Sequence, residues 1–576
     1  MPRGPARGAA VAAAGLAVAL LLALRLGGEA APVLTFSDVT ARAGLTFEFV
    51  TDLRRGRMLA TMGGGVAAGD FDGDDALDLF FTGSVADGRK PLAGPCGVLY
   101  RNRGDGTFED VTERSRVRSC GWTMGASWVD LDSNGRLDLV VTGLGRTEVW
   151  MNHGGTFEAV DRARGIVAER FAIGLAAGDV TGDGRVDLYV LNYLETDYVR
   201  ENSFPQFQLR LPEDYAGQDA YLFVQREDGT FEDRAAAAGV TNREGKGLAA
   251  VFFDYDGDGV SDLYVTNDRV PNKLWRGRGD GTFEDVTDEA GAGKREQPEA
   301  RAGMGLSVGD LDGDGRPEVM VTNYAGEPNS LYRNVEGVLF DDATETSGIA
   351  RASHPQVQWG SDFPDLDDDG RPDVVAASGS LIPKIFNVFG SLFRREDFKF
   401  YNRGDRSYKQ PPLVWRNLGD GRFAAVSGTA GDWGRTKVSA RGLATGDVDG
   451  DGRLDVALAA VKGGIRLFRN DTRVPGANAL EILPVAGKDR RTPLGTKVVV
   501  TAGGRRQVKE FLLRPSYASG AWTPLHFGLG QALAAETVEV ILPGGTEPAL
   551  VFRDVAANKL YALRDGRLDA RRALRR

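Results

Sequence analysis

Short apolar runs and acidic, glycine-rich turns alternate along most of this chain. Runs such as GVAAG (65–69) and DLFFTG (78–83) are four to six residues long and rich in small, aromatic and β-branched residues, so they predict strands. Between them lies one turn pattern that recurs seven times: Asp70-FDGDDAL-Asp78, Asp130-LDSNGRL-Asp138, Asp179-VTGDGRV-Asp187, Asp254-YDGDGVS-Asp262, Asp310-LDGDGRP-Glu318, Asp365-LDDDGRP-Asp373 and Asp447-VDGDGRL-Asp455. Each turn is followed by an aromatic-rich strand: LYRN (99–102), VWMN (149–152), LFVQ (222–225), LWRG (274–277), LYRN (331–334), VWRN (414–417) and LFRN (467–470). After six of these comes a glycine turn and a fourth strand, centred on Phe108, Phe157, Phe231, Phe283, Phe340 or Phe423. The seventh has no such follower, but Leu34-TFSDVT-Ala41 near the N-terminus copies the pattern of residues 106–112.

One repeat about every 63 residues suits a four-stranded propeller blade. The permuted strand fits too: an N-terminal strand completing the last blade closes the ring and removes two open sheet edges. The expected fold is therefore all-β, a seven-bladed β-propeller over residues 33–470, interrupted by insertions at 192–221 and 378–412.

Acids or their substitutes occupy turn positions 1, 3, 5 and 9. They are Asp70, Asp72, Asp74 and Asp78; Asp130, Asp132, Asn134 and Asp138; Asp179, Thr181, Asp183 and Asp187; and Asp254, Asp256, Asp258 and Asp262. The last three turns supply Asp310, Asp312, Asp314 and Glu318; Asp365, Asp367, Asp369 and Asp373; and Asp447, Asp449, Asp451 and Asp455. Carboxylates this crowded repel one another unless a cation neutralises them, and Ca²⁺ takes six to eight oxygens from such tight turns. The flanks are strands, so these are hairpin turns and not EF-hands. Up to seven Ca²⁺ ions are expected, with the second and third turns weakest because each has three carboxylates in place of four. The net charge of −11 is thus a property of the turns, and with 81 acids against 70 bases the chain is not expected to bind nucleic acid. Three His and two Cys leave little room for zinc or histidine-based chemistry. Cys96 and Cys120 are expected to pair in a disulfide, which suits an exported chain.

Export is the reading of the N-terminus. Arg3 and Arg7 precede an apolar run from Ala9 to Leu24, so residues 1–30 read as a signal peptide or an N-terminal membrane anchor. The expected location is secreted, periplasmic or cell-surface, with membrane contact only through that segment.

The acidic hairpins resemble FG-GAP repeats of the integrin α-subunit propeller, which carry calcium in the same turn. Residues TPLGTKVVVTAGG, SYASGAWTPLHFGLG and VEVILPGGTEPALVFRDVAANKLYAL resemble the ASPIC/UnbV domain, here assigned to 478–563. The combination resembles the cartilage acidic protein family, in a bacterial-type form without an EGF module. That resemblance implies a secreted, calcium-binding protein of adhesion or the extracellular matrix. The residues themselves read the same region as a small all-β module, with His526 structural and the Arg-rich end (564–576) a solvated tail. RGD occurs at Arg103, Arg278 and Arg403, but two of these are an arginine before a GDG turn.

No Ser-His-Asp, Cys-His or phosphate-loop pattern stands out, so no catalytic residue is assigned. The leading function is binding of an extracellular protein or glycan, with the aromatic- and arginine-bearing insertions as the partner face. The alternative is a calcium-dependent lyase, hydrolase or cyclase at the central face, and the fold by itself does not separate the two.

Overall fold

The computed structural model describes residues 32–49, 62–83, 95–195, 212–293, 301–380, 409–461 and 464–576. Residues 1–30, read above as the signal or anchor, and the central parts of both insertions lie outside the described residues. Among the described residues no helix is long and apolar enough to cross a membrane.

The repeat folds as antiparallel meanders of four strands, seven of them among the described residues. The second meander runs Thr123–Val129, Asp138–Gly143, Arg146–Asn152 and Phe157–Ala159, with the acidic turn joining its first two strands. First strands are buried on both faces and lie against the first strands of the next meander, from the first round to the seventh and back. Their small residues follow from that convergence: a Cβ on Gly125 would sit 2.3 Å from the Ile173 carbonyl oxygen, and one on Gly65 2.1 Å from that of Ala518. The result is a propeller-like ring of curled sheets. Its last meander is completed by Phe36–Asp38, which pairs antiparallel with Arg466–Asn470 (Phe36 opposite Asn470), as the permuted strand required.

A repeated polar link joins neighbouring meanders. The residue ending the third strand sends its side-chain amide to the carbonyl at turn position 2 of the preceding meander. Asn102 donates to Val448 (2.7 Å), Asn152 to Phe71 (2.7 Å), Gln225 to Leu131 (2.9 Å), Asn334 to Tyr255 (2.8 Å), Asn417 to Leu311 (2.9 Å) and Asn470 to Leu366 (2.9 Å). The fourth meander has Gly277 there and lacks the link; a Cβ would lie 2.3 Å from the Ser261 carbonyl oxygen.

The C-terminal region forms two further sheets of four strands each. One orders Leu525–Gly530, Asn478–Pro484, Lys559–Arg564 and Arg567–Ala573; the other Arg505–Glu510, Lys497–Ala502, Ala534–Ile541 and Leu550–Ala556. The expectation of a solvated tail at 564–576 is overturned in part: Arg567–Ala573 is a paired strand, and its Arg571 and Arg572 pair with acids of the ring. Nor is the C-terminal region a separate body. Leu480, Ile482, Val498, Val540, Phe527 and Trp522 share one apolar cluster with Phe71, Trp128 and Leu139 of the first two meanders.

Between the two C-terminal sheets the chain threads the ring. Strand Ser519–Trp522 lies parallel between the first strands of meanders one and two (Ala67 opposite Gly520, Ala126 opposite Ser519) and fuses them into one ten-stranded sheet. Just before it, Tyr517 and Ala518 are fully buried among Met62, Met124, Met304 and Trp359 from different meanders. The Tyr517 hydroxyl donates to the Met62 carbonyl at 2.7 Å, and its ring meets Trp359 edge-on at 4.7 Å. The sequence pattern places these residues wholly in the C-terminal module; the fold gives them to the ring.

Candidate metal centres

Every acidic turn is held by its own carboxylates. Position 1 accepts backbone N–H groups from within the turn, as Asp130 does from Asn134 and Gly135 (both 2.9 Å) and Asp447 from Asp451 (3.0 Å) and Gly452 (2.9 Å). Glycine follows position 1 by five residues in six turns because a positive φ is needed there, 83° at Gly135 and 79° at Gly452. Position 9 uses both oxygens. One accepts the N–H of position 2 and the other the N–H ending the third strand, as in Asp138 with Leu131 (3.0 Å) and Asn152 (2.8 Å). The same pair of bonds recurs at Asp78, Asp187, Asp262, Glu318, Asp373 and Asp455.

Oxygens of positions 1, 3 and 9 converge. Those of Asp70, Asp72 and Asp78 lie within 4.8 Å of one another, as do those of Asp130, Asp132 and Asp138, of Asp254, Asp256 and Asp262, and of Asp310, Asp312 and Glu318. In the sixth turn the converging set is Asp365, Asp367 and Asp369. Ligands on opposite sides of a Ca²⁺ ion at about 2.4 Å each stand about 4.8 Å apart, so the span fits that ion. Among the acids of the described turns, two buried oxygens have no hydrogen-bond partner, Oδ1 of Asp132 and Oδ1 of Asp367, both at position 3. Orphaned buried carboxylate oxygens facing other carboxylates are what a cation would satisfy. In the third turn Thr181 stands at position 3, its hydroxyl 3.5 Å from Asp179.

Position 5 carries a second role that the sequence pattern does not show. In all seven turns its side-chain oxygen accepts the N–H of position 7, at 2.7–3.0 Å. The other oxygen is often taken by an arginine: Asp74 pairs with Arg101, Asp183 with Arg185, Asp314 with Arg316, Asp369 with Arg371 and Asp451 with Arg453. This acid therefore shapes its own turn as well, and in the sixth turn Asp369 also joins the converging oxygens.

Burial sets the electrostatics. It lifts Asp70, Asp130 and Asp310 to about 6, Asp187 to about 7 and Glu318 to about 9, with neighbouring carboxylates adding to the rise. Asp78, Asp138, Asp262, Asp373 and Asp455 are raised well above the usual carboxylate range for the same reason. Acids kept this far from water hold their protons more tightly than exposed ones, and a positive charge beside them opposes that shift.

The C-terminal sheets supply some of that charge, which the sequence did not reveal. Lys497 Nζ reaches Asp254 at 2.5 Å, and Glu510 accepts the Asp254 N–H at 3.3 Å. Arg571 pairs with Asp75 (3.1 Å), Arg572 with Asp447 (3.5 Å), and Arg576 with Asp368. Arg491 donates to the carbonyls of Gly182 and Asp183, both at 3.2 Å. His526 is buried with Nε2 2.9 Å from Asp368 Oδ1. Burial lowers its basicity, but Asp368 and Glu481 outweigh that and hold it at about 9. His526 is a structural cation wedged under the sixth turn. Elsewhere, Cys96 and Cys120 are joined in a disulfide between the first and second meanders.

A propeller-like ring of acidic hairpins, capped on its hairpin face by an all-β module, defines the class of protein. The sequence profile of the FG-GAP-like repeat matches residues 85–141, 130–190, 254–321, 310–376 and 400–472, together just over half of the chain, and that of ASPIC and UnbV matches residues 487–569. The chain belongs to the FG-GAP-like repeat family and carries a C-terminal ASPIC/UnbV domain. It is 26% identical to cartilage acidic protein 1 of Mus musculus over 542 residues, covering 87% of this chain and 73% of that protein. It is also 26% identical to the Homo sapiens protein, over 70% of this chain and 55% of that one. Among solved structures, an Agrocybe aegerita lectin specific for non-reducing terminal N-acetylglucosamine is similar at 17% identity and a TM-score of 0.37, over 65% of this chain and 81% of that chain.

Proposed function

We propose that this chain is an exported, calcium-binding interaction module that engages an extracellular protein or glycan. The observation that carries the reading is the convergence of carboxylate oxygens from turn positions 1, 3 and 9 within 4.8 Å in repeated turns. Asp70, Asp72 and Asp78 would hold one ion, with the equivalent acids of the other turns holding theirs; a hard divalent cation would supply fixed positive charge at the base of each hairpin. Relationship to cartilage acidic protein supports an extracellular setting for such a module. Extracellular calcium modules bind at about 10⁻⁴–10⁻³ M, so these sites would fill outside a cell and empty within one.

The alternative reading is a calcium-dependent lyase, hydrolase or cyclase at the central face of the ring, whose centre Tyr517 and Ala518 occupy, fully buried among residues of different meanders.

Calorimetric titration of the chelator-treated full chain with Ca²⁺ is the test. Saturable binding of several ions below about 1 mM is expected, with a higher melting temperature at saturation. No heat and no shift in melting at 10-fold that concentration would refute the metal reading.

A further inference from the structure

The third strands carry a second regularity in step with the turns. The residue just before the one that ends each of them is, in chain order, Arg101, Met151, Val224, Arg276, Arg333, Arg416 and Arg469. Arginine stands there in the five meanders whose turn has four carboxylates at positions 1, 3, 5 and 9; Met151 and Val224 stand there in the two whose turn has three. Arginine at turn position 7 does not follow that division, since it is present in the second and third turns (Arg136, Arg185) and in three of the others. The third-strand residue is therefore matched to its turn and is not a general supply of positive charge.

Its contacts show what it does. Arg101 pairs with Asp72 and Asp74 of the first turn, and Arg416 holds Asp367 Oδ2 through Nε at 2.9 Å and a terminal nitrogen at 2.8 Å. Asp72 and Asp367 both occupy position 3, one of the positions whose oxygens converge. In the fourth, fifth and seventh meanders the arginine also pairs outside the turn, with Glu284 (3.0 Å), Asp341 (3.4 Å) and Asp471 (2.7 Å). Burial still raises Asp256 and Asp312, and the charges of Arg276 and Arg333 oppose that rise. In the second meander Met151 puts a buried apolar side chain at this place, and Asp132 keeps its unpartnered Oδ1. Asp367, 2% exposed, keeps one unpartnered oxygen too, so the sixth turn retains a place for an ion although its other oxygen is engaged. A bare ion seated among a turn's own oxygens reaches atoms that are closed to any larger ligand.

We infer that the third-strand arginine is a resident counter-charge that competes with Ca²⁺ for the position-3 carboxylate, so that the second turn is a tighter site than the first or the sixth. The inference rests on the proposed calcium reading and ranks its sites. A count of carboxylates alone places the second turn among the weakest. Counting the arginine cancels one negative charge in the first and sixth turns, at a converging oxygen, and none in the second. A guanidinium a few ångströms from a divalent ion also repels it directly.

Hydrogen exchange of the full chain, read by mass spectrometry at graded free Ca²⁺, follows each turn separately, because an ion that orders a turn protects the N–H groups bonded to its position-1 carboxylate. In the parent, peptides spanning residues 130–138 should gain protection at about 10-fold lower free Ca²⁺ than those spanning 70–78 or 365–373. R101M, which copies the residue the second meander uses, should lower the first turn's midpoint about 10-fold and leave the sixth unmoved. R416M should do the converse, and melting of both variants in chelator checks that they fold. Protection of the first or sixth turn at lower Ca²⁺ than the second, or unmoved midpoints in both variants, overturns the arginine's role and leaves the calcium reading standing. No protection of any turn at about 10 mM Ca²⁺, ten times the upper end of the extracellular range, overturns both.

Discussion

Replacing Tyr517 by alanine removes the side chain that fills the centre of the ring. Tyr517 is fully buried, packed edge-on against Trp359 and hydrogen-bonded to the Met62 carbonyl. Truncating a buried aromatic to alanine costs about 3–5 kcal/mol, and the stranded carbonyl adds about 1–3 kcal/mol. A loss of about 5 kcal/mol is therefore expected. If the ring and the C-terminal sheets unfold as one body of the 469 described residues, the unfolding entropy is about 1 kcal/mol/K and the melting temperature falls by about 5 °C. Scanning calorimetry of the full chain tests both parts, because the shared apolar cluster predicts a single transition for the parent. The phenylalanine variant isolates the carbonyl and should lose only about 1–3 kcal/mol. Two separate transitions in the parent, or an alanine variant melting within 1 °C of it, would falsify the idea that this segment ties the two parts together.

Asn152 is buried and makes three side-chain bonds, to the Phe71 and Leu137 carbonyls and from the Gly155 N–H; N152A should cost about 3 kcal/mol by urea unfolding, and a cost under 1 would show the inter-meander link to be incidental. Asp268 is buried against the Tyr193 hydroxyl, and burial, only partly countered by Tyr193 and Arg269, lifts it to about 6 from 3.8. Because the folded chain holds that proton more tightly than the unfolded chain, its contribution to stability is fullest below about pH 4 and is lost as the pH rises through about 6. D268N should remove that slope, worth about 3 kcal/mol between pH 4 and 8; identical pH profiles for parent and variant would exclude it. Deleting residues 33–40 uncovers the third strand of the last meander, so the product should aggregate, as light scattering would show; a soluble monomer with unchanged melting would mean the pairing of Phe36 with Asn470 is dispensable.

What is legible in the sequence is whatever repeats locally. The turn acids, the aromatic third strand and the Phe-centred fourth strand each recur at a fixed offset, so the meanders and the permuted N-terminal strand follow from the residues alone. The asparagine ending LYRN, VWMN and LFRN recurs just as regularly, yet its role is hidden there because its acceptor lies in the neighbouring meander. That position 5 also caps its own turn is hidden in the sequence, because alternate spacing does not show which backbone N–H its oxygen accepts. The C-terminal arginines read as solvated because charge composition says nothing about which acids a distant strand will meet. Arg571, Arg572 and Arg576 meet theirs 125 to 496 residues back along the chain, at Asp447 and Asp75 in the extreme cases.

The fusion of the first two meanders by Ser519–Trp522 bears on the order in which the molecule can be assembled. Meander one is made early in synthesis, yet the Val66 N–H waits for the Ser519 hydroxyl, 453 residues later, and the Phe36–Asp38 strand waits for Arg466–Asn470. Contacts this distant close slowly, since a long loop must be ordered before they return any stability. A nascent chain can therefore build individual meanders as it emerges, but neither the ring nor its central strand can be completed until nearly the last residues are available. A chain leaving a cell N-terminus first would cross the membrane before it could lock, and its final fold would form on the far side.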